Sequence, residues 1–274
     1  MPKWLRFFKE LYKRSLVQDD IFDLSAQLAY YFLMSIFPFL IFVMTLLAYL
    51  PISSTGVVDM IMQFAPKEAT TLIVKNVEGI LGHQRGGLLS IGIIMALFST
   101  SSGIHATMRV LNRAYGVEES RNYLVVKAMT FAYAAGMIVV ILIALILPVF
   151  GKVIGTFVVS HFHLHRDLLH TWDSVRYSVS FIVMFLLFTI LYWLAPNIRL
   201  HLTAVFPGAI FATIGWQAVS LGFAYFVNNF NDFSYTYGSL GAIIALMLWF
   251  YLSAMTLILG GQINAILQML KSSP

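Results

Sequence analysis

The sequence predicts an all-α integral membrane protein: about six transmembrane helices preceded by an amphipathic interfacial helix. Three observations carry that prediction. The 274 residues are 59% hydrophobic and only 11% charged, against roughly 25% charge in a water-soluble domain, so a soluble fold could not cover its own surface. The mean hydropathy is +0.83. Apolar runs recur at the length that crosses a hydrocarbon core of ~30 Å, roughly 20 residues as helix, and they lack the alternation of barrel strands. A backbone facing lipid must satisfy its own hydrogen bonds, which long uninterrupted runs do only as helices.

The first element is an arm over residues 1–18. Its stretch PKWLRFFKELYKRSL sets Trp4, Phe7, Phe8, Leu11 and Tyr12 against Lys3, Arg6, Lys9, Lys13 and Arg14, the pattern of a helix lying in the membrane surface. The apolar core that follows is too long for a cleavable signal peptide, so the arm reads as an anchor. Spans are expected near 24–50, 87–108, 126–150, 176–196, 203–227 and 238–268, within a single polytopic membrane domain covering 1–274. Asp19 and Asp20 precede the first span, where carboxylates cap free N–H groups and complement the helix dipole. Pro38 in the first span, and Pro207 with Gly208 in the fifth, are candidate hinges, because proline removes a mid-helix hydrogen bond. Gly238, Gly241, Ala242, Gly260 and Gly261 offer small faces for close helix packing. The last span, at ~1.5 Å per residue, exceeds the bilayer thickness and should tilt or protrude.

Basic residues orient the bundle. Lys3, Arg6, Lys9, Lys13 and Arg14 of the arm, Arg109, Arg113, Arg121 and Lys127 at the second connection, Arg199 and Lys271 fall on one side. Lys67, Lys75, Arg85, Lys152, Arg166 and Arg176 fall on the other and are fewer. The positive-inside rule therefore places both termini in the cytoplasm of a plasma membrane. The net charge of +5 is then a topology signal. No Lys/Arg run is long enough to track a phosphate backbone, so no nucleic-acid partner is expected.

Cysteine is absent, which excludes disulfides, thiol catalysis and cysteine-ligated zinc. No cofactor is implied. The stretch HFHLHRDLLH holds His161, His163 and His165 near Asp167 and His170. Their spacing is geometrically compatible with metal binding, but a solvated loop outside the cytoplasm is the preferred reading, so no metal is assigned. RNA hydrolysis needs an acid/base pair or carboxylates around a divalent metal, and neither motif is present on the cytoplasmic side. The protein is read as no enzyme.

Polar groups inside a span are costly, so each needs a partner or a wet cavity. In the first span Asp23, Gln27 and Tyr30 form a stripe with Asp19, and in the second His105, Arg109, Asn112 and Arg113 form another at the same end. Opposite charge at equal depth suggests that the two stripes face each other, through ion pairs that hold the helices together, around a ligand, or both.

The segments LAYYFLMSIFPFL (28–40), LNRAYG (111–116), AP (195–196), FPGAIFATIGW (206–216), GFAYF (222–226) and YGSLGAIIALMLWFYLSAMTLILGGQINA (237–265) together resemble the YihY/BrkB membrane-protein family, historically labelled ribonuclease BN-like. The resemblance runs in order across almost the whole chain and implies six helices in a bacterial inner membrane. It supplies no mechanism. Where the family pattern leads one to expect Gly-Ala-Glu, this chain has Gly260, Gly261 and Gln262, so a role needing that carboxylate is not carried over.

The leading expectation is a permease-like or exporter-like bundle with a cytoplasm-facing polar cavity lined by Asp23, Gln27, Arg109, Asn112, Arg113, Gln262 and Asn264. Arginines among amides suit an anion, either a small organic acid or a lipid headgroup. Arg109 and Arg113 would attract it, Asn112 and Asn264 would orient it, and Asp23 would hold the arginines in place. The alternative is a non-transporting scaffold for envelope partners, and a ribonuclease is the least favoured reading. Partners beyond the lipid bilayer are left open, as is assembly into an oligomer.

Overall fold

The structure is a computed structural model and describes residues 3–18, 20–47, 86–139, 168–229 and 239–272. Its elements are α1 (Lys3–Tyr12), a short π-helical segment (Lys13–Gln18), α2 (Ile21–Leu47), α3 (Gly86–Tyr115), α4 (Tyr123–Val139), α5 (Leu168–Leu194), a 3₁₀ turn (Leu202–Val205), α6 (Phe206–Asn229) and α7 (Ser239–Ser272). No strand occurs among the described residues. Among the described residues, four stretches, Ile21–Val43, Leu89–Tyr115, Leu202–Val227 and Ile243–Lys271, are long and apolar enough to cross a membrane. Large apolar side chains stand exposed along α2 to α7, Phe37, Leu40, Ile94, Phe98, Ile190, Ile214, Leu221 and Leu248 among them, as a lipid-facing surface requires. This is an all-helical membrane protein. The chain divides into two compact units, Met1–Leu33 with Ser102–Pro274, and Met34–Ser101.

Element boundaries follow from local chemistry. Asp20 has φ +44°, a left-handed conformation that Asp tolerates better than most side chains, and its carbonyl accepts the Leu24 amide at 3.1 Å to start α2. The expected companion, Asp19, lies outside the described residues. Helix α3 ends at Gly116, φ +65°. The Gly116 amide donates to Arg113 O and the Val117 amide to Asn112 O, both at 3.0 Å, which is a Schellman closure that only glycine reaches without strain. Asn122 opens α4, its Oδ1 accepting the Leu124 amide at 3.0 Å in the N-cap position. Pro196 follows α5 and stops it.

In the larger unit, α2, α3 and α7 meet in one core. Ile21 and Leu28 pack with Ala106 and Val110 and with Ala254 and Ile258, and Leu24, Tyr31, Phe32, Met255 and Leu259 close the cluster. The alanines let helix axes approach where lipid supplies no hydrophobic drive between helices. The α6/α7 seam is tighter still. A methyl on Gly215 would strike Thr256, and one on Gly208 would strike the Gly260 carbonyl. The expected small-residue face at Gly260 and Gly261 is thus observed, since added methyls there would strike the Tyr192 hydroxyl and Leu111. Aromatic contacts extend the seam, with Trp249 tilted against Trp216 and Phe223 at centroid separations of 6.1 and 5.9 Å. Trp249 Nε1 donates to Ser220 Oγ at 3.2 Å.

In the smaller unit, Gly92 of α3 would bring a methyl to 3.1 Å from the Phe42 backbone of α2, so this crossing too depends on a missing side chain. Pro38 is buried within α2, which continues as helix on both sides of it. Pro207 lies elsewhere than expected. It falls in the first turn of α6, after the 3₁₀ turn, where the missing N–H would have had no intrahelical partner. Pro207 therefore starts a helix and does not interrupt one.

Candidate functional site

Three polar joints are built into the larger unit. The first joins α6 to α7. The opening turn of a helix leaves N–H groups without partners, and here the partner comes from another helix: Gly208 N donates to Asn264 Oδ1 at 2.7 Å. Asn264 Nδ2 donates in turn to Val205 O at 3.0 Å. Asn264 is 1% exposed, so both ends of its amide are matched in a dry site, as burial demands.

The second joint holds the segment after α1. The Ser15 hydroxyl donates to Gln262 Oε1, and Gln262 is likewise 1% exposed. Arg14 Nη1 donates to Ala114 O at 3.0 Å, a carbonyl of the last turn of α3, and Arg14 Nη2 reaches Met269 Sδ at 3.2 Å. Nearby, the buried Tyr192 hydroxyl of α5 donates to Leu257 O at 2.6 Å, in space that Gly260 leaves open.

The third joint ties the loop after α3 to the loop after α5. Asn112 Oδ1 accepts the Asn197 amide at 2.6 Å, and Asn112 Nδ2 donates to Glu119 Oε2 at 3.0 Å. Arg121 forks onto Glu119, with Nε to Oε1 at 2.6 Å and Nη2 to Oε2 at 2.5 Å, the bidentate geometry that guanidinium favours. The same Nη2 donates to Ala195 O at 2.9 Å. Asn197 Nδ2 donates to Glu118 O and Ser120 Oγ, each at 2.8 Å.

Hydrogen bonding from Arg121 holds the Glu119 carboxyl at about 2, against burial, which pushes it up, and Asn112 assists. Because the folded value is depressed from 4.5, this carboxylate contributes stability that is present above pH 4.5 and lost as pH falls towards about 2. Acidification through that window should loosen the joint. Protection of the Asn197 amide, measured against its intrinsic exchange rate at each pH, should fall there in the wild type and show no such step in Glu119→Gln; an identical acid step in both would refute the assignment.

The seven residues expected to line one cavity separate into two groups. Asn112, Gln262 and Asn264 are buried, and each is engaged in one of the joints. Asp23, Gln27, Arg109 and Arg113 are exposed. Helix α2 buries Ile21, Ser25, Leu28, Ala29 and Leu33, so the stripe of Asp23, Gln27 and Tyr30 points outward, a correction to the expected facing of the two stripes. Asp23 lies in the first turn of α2, where the helix dipole favours a carboxylate. On α3, Arg109 and Arg113 follow His105 at four-residue steps, and both Arg109 and Lys127 of α4 act electrostatically on His105. The result is a basic face on the C-terminal turns of α3, the end of the dipole that tolerates positive charge.

His161, His163 and His165 lie outside the described residues. Among the described residues no group of three His, Cys, Asp or Glu side chains is placed to hold a metal ion. The joint residues Ser15, Glu119, Arg121, Tyr192 and Asn197 were not anticipated. One signal was available for some of them. Helix ends leave carbonyls without partners, the AP at 195–196 ends α5 with no amide on Pro196, and the nearby acidic and basic residues of EESRN (118–122) are the natural donors and acceptors.

The family model described as virulence factor BrkB matches residues 13–273. The ribonuclease-like protein YfkH of Bacillus subtilis is 47% identical over 271 residues, covering 98% of each chain. A UPF0761 membrane protein of Alteromonas mediterranea is 26% identical, covering 89% of this chain and 82% of its own. Another, from Vibrio parahaemolyticus, is 26% identical and covers 97% and 83%. No solved structure matches. A match that begins in the π-helical segment and ends just past α7 takes in every joint described above, and the chain belongs to the virulence factor BrkB family of membrane proteins.

Proposed function

We propose that this protein is a permease-like or exporter-like protein of the bacterial inner membrane that binds a small organic anion or an anionic lipid headgroup at the cytoplasmic end of α3. One observation carries the reading: Arg109 and Arg113 stand exposed, one turn apart, on a face shared with His105 and near Lys127, while the surrounding amides are committed to holding helices together. Cations near a helix C-terminus can be accommodated cheaply, and guanidinium pairs suit carboxylate or phosphate oxygens. Asn112 then acts by holding the last turn of α3 in place and not by touching the ligand.

The test is anion binding and flux with protein reconstituted in vesicles, together with native mass spectrometry of retained lipid. Arg109→Ala with Arg113→Ala should lower affinity roughly 10- to 150-fold per arginine, the scale of a charge-assisted hydrogen bond of ~1.5–3 kcal/mol. Wild-type binding and flux in a folded double variant would sink the site.

A second reading, a non-transporting envelope scaffold, draws support from the buried amides Asn112, Gln262 and Asn264, which are spent on packing and do not line a passage. It predicts lipid retention without flux. Neither reading gives the protein a catalytic role, and the word ribonuclease in the name of the Bacillus subtilis relative describes that protein.

A further inference from the structure

We propose that α1 is a peripheral clamp for an anionic phospholipid leaflet, lying in the headgroup plane with one side packed on α7 and its base fastened by polar bonds. Trp4, Phe8 and Tyr12 recur every four residues along α1 and are 64%, 59% and 66% exposed. Three large aromatics side by side in water are an unfavourable surface. The opposite side is already occupied: Phe7, Glu10 and Leu11 are partly buried and α1 packs against α7.

Chemistry selects the occupant. Trp and Tyr combine an apolar ring with a polar tip and settle at the headgroup level. Arg6, Lys9 and Lys13 are exposed as well, with Lys9 flanking the stripe and Lys13 and Arg6 further round the helix, so the helix carries cations alongside its aromatic face. An anionic leaflet satisfies both, through ring insertion and charge attraction acting together. The fastening is polar and specific: Arg14 on Ala114 O and Met269, and Ser15 on Gln262. The base of α1 is thereby set relative to the ends of α3 and α7.

The chain has no cysteine, so a nitroxide can be placed at one position with no background. Full-length Phe8→Cys and Glu10→Cys proteins, each spin-labelled, would be reconstituted in vesicles of phosphatidylcholine with or without phosphatidylglycerol. Collision with a water-soluble nickel complex reports exposure to water, and collision with oxygen reports exposure to lipid. With phosphatidylglycerol present, the label at position 8 should lose at least about threefold of its nickel collisions and gain oxygen collisions. High salt should weaken the change by screening, and the label at position 10 should not respond to lipid charge.

A second set carries Arg6→Gln, Lys9→Gln and Lys13→Gln together with Phe8→Cys and should lose the dependence on phosphatidylglycerol. Three results would overturn the proposal: a position-8 label as open to water in anionic vesicles as in detergent, equal shielding in detergent and in both vesicles, which would mean a protein surface covers the stripe, or lipid-charge dependence that survives loss of the three cations. None depends on Arg109 or Arg113, so this result and the anion-site result can fail separately.

Discussion

Gly208→Val should destabilise the detergent-solubilised protein by at least ~3 kcal/mol, at or beyond the upper end of ordinary overpacking penalties. The neighbours at this position explain the size. Even a single methyl on Gly208 would collide with the Gly260 carbonyl and press on Asn264 Nδ2 and Cγ at 2.5 and 2.6 Å. None of these can yield cheaply: one is helix backbone, and the other is a buried amide bonded at both ends. Relief by separating α6 from α7 would open the seam that Gly215 and Thr256 close two turns further on, exchanging close van der Waals contact for voids. Gly222 on the same helix has nothing near its would-be side chain, so Gly222→Ala should leave the melting temperature at or above the wild-type value, because alanine is the better helix former. Thermal melts of the two variants in one detergent make the comparison. Equal melting temperatures would mean that the α6/α7 contact does not limit stability.

The contrast between Gly208 and Gly222 also marks what could be read in advance. Apolar length and the scarcity of charge locate helices, and α2, α3, α5, α6 and α7 overlay the expected spans to within a few residues at most ends. The small-residue face of α7 was legible for the same reason, because glycine in an apolar helix weakens it unless close packing compensates. Which side of a helix faces inward was much less legible. A span that is apolar nearly all round carries little amphipathic signal, and the polar residues that break the pattern can sit at headgroup depth or inside protein with equal ease. Asp23, Gln27, Arg109 and Arg113 stand exposed on their helices, and Asn112, Gln262 and Asn264 are buried inside protein.

Pro207 shows the related limit on boundaries. Hydropathy runs unbroken from Leu202 through the helix, so the change from a 3₁₀ turn to α-helix at Phe206 leaves no mark on it, and a helix-starting proline looks like a helix-breaking one. The joints were hidden for a topological reason. Asn112 with Asn197, Ser15 with Gln262 and Gly208 with Asn264 are contacts between residues far apart in sequence, and no local periodicity encodes such pairs.

Asn264→Leu should cost ~2–6 kcal/mol, because it leaves the Gly208 amide and the Val205 carbonyl buried without partners at ~1–3 kcal/mol each. The side chains are close in volume, so the loss measures hydrogen bonding more than packing. That distinction matters at this site, where one residue of α7 acts as an N-cap for α6 across the helix interface, a task that usually falls to the residue before the helix. In this chain the local candidates are spent: His201, at the start of the 3₁₀ turn, makes no side-chain cap bond, and Pro207 has no amide to satisfy. Asn264→Asp separates the two halves of the bond. Its carboxylate can still accept from Gly208 N but faces the Val205 carbonyl with a second oxygen in place of a donor, and it adds a charge in a site that is 1% exposed. Aspartate should therefore fail to rescue, falling at least as low as leucine in the same melt. If Asn264→Asp instead matched the wild type, the donor half would be dispensable, and the bond accepted from Gly208 N would alone carry the joint.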